Sequence, residues 1–109
     1  MKNYLAEGIG TFLLVAVVIG SGIMAEALAN GNIAVALLGN TIATGAILFV
    51  IIKMFGQISG AHFNPVVSLV FLLRNELKKN DFIFYVIFQI IGGMIAVLTS
   101  HYIFKLNVL

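Results

Sequence analysis

The stretch Met54-Phe55-Gly56-Gln57-Ile58-Ser59-Gly60-Ala61-His62-Phe63-Asn64-Pro65-Val66-Val67-Ser68-Leu69-Val70-Phe71-Leu72-Leu73 carries no charge and is long enough to cross a bilayer, but its texture is wrong for one continuous helix. Its first half holds Gly56 and Gly60 together with the polar side chains of Gln57, Ser59 and His62. Asn64-Pro65 then marks a fresh start, because Asn is a strong N-cap and Pro is favoured at the first helical position. A helix is therefore predicted from Pro65 to about Leu73. At about 1.5 Å per residue it measures about 14 Å, roughly half of a hydrocarbon core of about 30 Å. The spacing predicts a re-entrant loop and half-helix over about 56–73, with the irregular loop descending directly from the preceding span.

Outward from this stretch the chain is membrane protein. Of its 109 residues 61% are hydrophobic and 9% charged, against about 45–50% and about 25% in soluble domains. So few charges cannot cover the surface of a soluble globule of this size. Three charge-free runs predict transmembrane helices at about 4–25, 33–52 and 82–104, the first reaching back to Tyr4 if Glu7 is tolerated. The first run is too long and Gly-spotted for a cleaved signal peptide and lacks the small-residue cleavage pattern. The net charge of +2 includes no basic cluster larger than Lys78-Lys79, which excludes a nucleic-acid partner. The chain has no cysteine, hence no disulfide, thiolate nucleophile or Cys-type metal site, and no cofactor is expected.

The distribution of basic residues tests the re-entrant reading independently. If 54–73 crossed fully and the N-terminus were cytoplasmic, Lys2, Lys53 and Lys105 would lie inside and Arg74, Lys78 and Lys79 outside, with no bias. With a segment that returns to its own side, Lys2, Lys53, Arg74, Lys78 and Lys79 are all cytoplasmic and only Lys105 is outside. The second arrangement predicts a multi-pass protein of the cell (plasma or inner) membrane with a cytoplasmic N-terminus.

Irregular backbone at membrane depth must be buried in protein or line a water-filled cavity, because bare N–H and C=O groups in lipid cost several kcal/mol each. The carbonyls at Gly60, Ala61 and His62 thus form a candidate ladder of acceptors for water or a hydroxylated solute. Asn64 is expected to cap the half-helix through its side-chain oxygen, on the N–H of Val66 or Val67, leaving its amide nitrogen to donate into the cavity. The half-helix N-terminus adds about half a positive charge near the midplane, which favours neutral or anionic species over cations and protons.

Here a resemblance enters. Ser59-Gly60-Ala61-His62-Phe63-Asn64-Pro65-Val66-Val67-Ser68 resembles the first Asn-Pro-Ala signature of the major intrinsic protein family, the aquaporins and aquaglyceroporins. Ala6-Glu7-Gly8-Ile9-Gly10-Thr11-Phe12-Leu13-Leu14-Val15 resembles its first helix, and Gln89 with Gly92-Gly93 its third. Gly20-Ser21-Gly22-Ile23-Met24-Ala25-Glu26 and Leu38-Gly39-Asn40-Thr41-Ile42-Ala43-Thr44-Gly45 are similar to a bacterial subgroup associated with small neutral metalloid hydroxides such as arsenite. The resemblance implies an all-α integral membrane fold of three transmembrane helices plus one re-entrant half-helix, over 1–109, equal to one inverted repeat of the aquaporin-like fold. It implies passive movement of water or a small uncharged solute such as glycerol or arsenite, with no catalytic residue or metal. It also implies a second-half repeat and assembly of four complete monomers in the lipid bilayer.

The sequence departs from the family pattern at two places. Val66 stands where the signature has Ala, and narrows or dries the lumen if its side chain faces the pore. Thr44 stands at the position that resembles the selectivity-filter residue of the second helix, where water-selective members usually have an aromatic; a small Thr implies a wider filter. Only the first half of the family pattern is matched, which leaves open a fragment, a half that pairs with a separate partner, or a self-pairing half-channel. The basic-residue bias argues against the dual insertion that inverted self-pairing requires. A nonconducting truncated subunit and half of an inverted-repeat secondary transporter are the alternatives. An intramembrane enzyme lacks its groups: no Cys, no Ser–His or Asp–Asp pairing at helical spacing, and one embedded His.

Individual residues also have plainer readings. Glu7 either reaches for the interface or, as the resemblance implies, accepts N–H groups from the loop and holds it. His62 is expected as a pore-loop residue whose carbonyl lines the path, not as a base or metal ligand. Tyr4, Phe82, Phe84, Tyr85 and Phe88 are expected to contact lipid and anchor the interface. Gly39 with Ala43, Thr41 with Gly45, Gly92 with Ala96 and Gly20-Ser21-Gly22 are small-residue sites for close helix packing. His101 receives no role.

Overall fold

The computed structural model of the protein describes residues 1–104, so Lys105, the one basic residue expected outside, lies beyond the described residues. Four helices follow in order: α1 (Lys2–Leu28), α2 (Ile33–Ser59), α3 (Pro65–Leu73) and α4 (Lys79–Ile103). The helices α1, α2 and α4 are long and apolar enough to cross a membrane. The nine residues of α3 are not. The chain forms an integral membrane protein of all-α class.

The second helix corrects the predicted boundary. The expectation placed its end near Ile52 and the irregular loop from about 56, but α2 runs through Lys53 and Gly56 to Ser59. It stops at Gly60, whose φ of 89° is a left-handed C-cap that glycine adopts without penalty. The irregular segment is therefore only 60–64. Asn64, held extended at φ −156° and ψ 128° ahead of Pro65, caps α3 with its side-chain oxygen on the Val66 N–H at 2.8 Å. The other end of α3 closes on Asn75 at φ 60°, with Asn75 N–H donating to Leu72 O and Glu76 N–H to Phe71 O. That is a Schellman stop with Asn in the usual glycine place.

Within the described residues α1 is the central helix, packed against α2 on one side and α4 on the other, while α3 leans on α4 and the backbones of α2 and α4 stay apart. Gly8 and Gly92 bring α1 and α4 together so closely that a Cβ on Gly92 would overlap the Gly8 carbonyl oxygen. On the other side Gly39 of α2 faces Ala25, and Ser21 Oγ donates to Asn40 Oδ1 at 2.8 Å. Gly45 meets nothing within 4 Å and stays uncovered.

Burial is inverted relative to a soluble protein. The largest side chains with almost no exposure are Ile51, Gln89, Glu7 and Ser68, whereas Phe49, Ile42, Met94 and many other apolar groups are exposed. Apolar surface facing outward is solvated by lipid tails, and the polar groups inside must find one another. The aromatic expectation is corrected at Tyr85. Tyr85 is 3% exposed and donates to Ser59 O at 2.7 Å. Tyr4 donates to Asp81 Oδ1 at 2.5 Å and stacks on Phe84 at 5.1 Å, tying the two helix starts together.

Candidate functional site

Segment 60–64 is held from α1 by one carboxylate. Glu7 is fully buried, and its Oε2 accepts from Ser59 Oγ at 2.6 Å and His62 N at 3.0 Å, while its Oε1 accepts from Phe63 N at 2.7 Å and Gln89 Nε2 at 2.7 Å. Four donors on two oxygens leave no lone-pair direction idle and replace the water a carboxylate loses on burial. Two successive loop N–H groups converging on one anion form a nest, here closed on a side chain of the same protein.

The loop is strained enough to need such a hold. Ala61 at φ 57° and Phe63 at φ 54° both occupy the left-handed region, which costs a non-glycine residue about 1–2 kcal/mol. The Phe63 ring is packed into the space left by the missing side chain of Gly10. Ala61→Gly is expected to stabilise the protein by about 0.5–1 kcal/mol, and Gly60→Ala to destabilise it by at least as much, since a Cβ there also meets His62 Nε2 at 3.2 Å. Melting temperatures in one fixed detergent check both signs; a destabilised Ala61→Gly variant contradicts the strain.

Where α3 begins, a cavity of about 820 Å³ opens between α1, α2 and α4, lined among others by Thr44 and Leu48, by Phe63, Asn64 and Pro65, and by Gly93 and Met94. The structure thus brings Asn64, Pro65 and Thr44 onto one cavity. The Asn64 oxygen is engaged with Val66 N–H, and its amide nitrogen makes no hydrogen bond among the described residues. Gly60, Ala61 and His62 are not among the lining residues. Val66 is 66% exposed and also outside the lining.

His62 is buried, with Nδ1 2.9 Å from Ser68 Oγ and its ring stacked on Phe71 at 4.5 Å. Ser59, Ser68, Tyr85 and Gln89 belong to the same cluster and were not expected as site residues. A usable signal existed: Ser68 is the only polar side chain in α3, and Gln89 interrupts an apolar run of α4. A polar group at mid-span must be paired or functional. No group of three or more His, Asp or Glu side chains able to hold a metal occurs among the described residues.

Comparison with known proteins agrees with this architecture. Residues 1–108 match the family described as Major intrinsic protein. The chain is 53% identical to an aquaglyceroporin (AqpS) of Rhizobium meliloti, with 96% of the chain and 45% of that relative covered. It is 38% identical to a glycerol uptake facilitator protein-like 6 of Lactiplantibacillus plantarum, over 88% of the chain and 41% of the relative. With an aquaporin Z of Photorhabdus laumondii the identity is 33%, over 88% of the chain and 41% of the relative. No solved structure matches. The chain spans less than half the length of these relatives. On the extent of the match, and with a half-helix capped by Asn-Pro beside three long apolar helices, the chain belongs to the major intrinsic protein family.

Proposed function

We propose that this chain supplies one half of a channel for the passive passage of water or small uncharged solutes such as glycerol or arsenite. A second, complementary half, on the same or another chain, fills the cavity opposite Asn64. The observation that carries this reading is the Asn64 amide nitrogen, left without a partner by the cap and set on a cavity shared with Thr44. A donor at the positive end of α3 attracts an oxygen lone pair, and the same dipole repels cations. The carbonyls of Gly60, Ala61 and His62, which do not line the cavity of this half, are assigned the acceptor side of the path beyond it, once the second half is in place. Thr44, far smaller than the aromatic side chain of a narrow filter, is assigned a filter wide enough for a triol.

The reading includes a cytoplasmic N-terminus in the cell membrane, from the basic-residue bias, and homo-oligomerisation through the uncovered face of α2 that carries Thr41 and Gly45. The transporter alternative loses its best candidate for coupling, because Glu7 is already saturated by four protein donors.

The test pairs this chain with the part of the Rhizobium meliloti relative that lies outside the matched segment, in liposomes under osmotic stress. Asn64→Asp retains an N-cap as good as Asn but replaces the free amide donor by a charged acceptor. Swelling is expected to fall to near the protein-free rate, with the melting temperature little changed. Equal swelling of wild type and Asn64→Asp counts decisively against the role of Asn64.

A further inference from the structure

We infer that Ser68 is the positioning residue of the half-helix: its hydroxyl accepts from Gln89 and donates to His62, and so fixes both the depth of α3 and the tautomer of His62. Only the functional consequence rests on the pore reading; the geometric assignment stands without it. Ser68 is 0% exposed and is the one buried side chain of α3, whose Val66, Leu69, Val70 and Leu73 are all uncovered. Apolar contact along α3 is limited to the half-buried Phe71 and Leu72, Phe71 stacking on the His62 ring itself. The fully buried constraint is polar. Gln89 Nε2 has two hydrogens, and both are committed, one to Glu7 Oε1 at 2.7 Å and one to Ser68 Oγ at 3.1 Å. Ser68 Oγ is thus an acceptor toward Gln89. Ser68 Oγ and His62 Nδ1 are 2.9 Å apart; in this assignment the hydroxyl gives its own hydrogen to Nδ1, which leaves Nδ1 the bare nitrogen and Nε2 the protonated one.

One amide nitrogen consequently spans the loop anchor and the half-helix. Ser68 lies one turn from Asn64, and its N–H donates to Asn64 O at 3.1 Å, so a slide or rotation at Ser68 carries Asn64 with it.

The test uses the chain with ¹⁵N-labelled histidine, His62 being distinguished from His101 by a His101→Gln variant. Wild type is expected to show an unprotonated Nδ1 and a protonated Nε2 at His62. Ser68→Ala moves both signals toward a tautomer mixture, and Ser68→Thr, which keeps the hydroxyl, restores them. In the paired liposomes Ser68→Ala is expected to lower the water-to-glycerol permeability ratio severalfold, with Ser68→Thr again close to wild type. His62 nitrogens unmoved by Ser68→Ala overturn the hydroxyl assignment. Moved nitrogens with an unchanged permeability ratio overturn the positioning role. Moved nitrogens in a pair whose wild type does not conduct overturn the pore reading and leave the Ser68 link in place.

Discussion

Replacing Glu7 by leucine is expected to cost about 2–6 kcal/mol and to abolish any passage that depends on loop 60–64. Leucine removes the acceptor of four hydrogen bonds. The Ser59 hydroxyl and the Gln89 amide can turn toward other partners. The backbone N–H groups of His62 and Phe63 cannot, and an orphaned buried donor costs about 1–3 kcal/mol. Glutamine at this position keeps the shape but presents an NH₂ where one oxygen stood, so at least one of those N–H groups is orphaned and the loss is about 1–3 kcal/mol. The expected order of melting temperatures is wild type, Glu7→Gln, Glu7→Leu. A second comparison isolates the strain: in an Ala61→Gly background the loop presses less against its anchor, and Glu7→Leu should lose less. Melting curves for both Glu7 variants that overlay wild type would remove the carboxylate from the argument.

The contrast between Glu7 and α2 explains what could be read in advance. Asn64-Pro65 announced the half-helix because the cap chemistry is local: one side-chain oxygen, one missing N–H and a fixed φ suffice. The end of α2 was not local. Gly56 and Gly60 are equally good breakers on paper, and only the backbone decides between them: Gly56 lies inside α2, whereas Gly60 takes φ 89°. Tyr85 illustrates the same limit from the other side. An aromatic near a span end reads as an interfacial anchor, and its inward turn is fixed by the Ser59 carbonyl, a partner from another helix. Ser68 and Gln89 are intermediate cases, since their isolation among apolar neighbours signals a role while the identity of the partner needs the fold.

Gly92→Ala is expected to be strongly damaging for the addition of a single methyl group. The added carbon would lie on the Gly8 carbonyl oxygen, closer than any real Cβ contact, and the obstructing atom is helix backbone that cannot rotate away. The two helices must separate, and overpacking of this kind costs about 1–3 kcal/mol or more. Gly93→Ala provides the control. Its Cβ would meet only Thr11 Cγ2 and Val15 Cγ2, both at 3.9 Å, so the gain of up to about 1 kcal/mol in helix propensity is kept. Adjacent glycines are thus expected to give opposite signs in the same thermal melt. Separation of α1 from α4 also pulls Glu7 away from Gln89, which binds Ser68 in turn, so Gly92→Ala should disturb the His62 nitrogen signals although it touches neither residue. Gly10→Ala reaches the loop by a different route, through the Phe63 ring it would overlap. It should disturb the loop while leaving the α1–α4 contact whole. If Gly92→Ala melts like wild type, the close approach of α1 to α4 is wrong, and with it the register that sets Glu7 against Gln89.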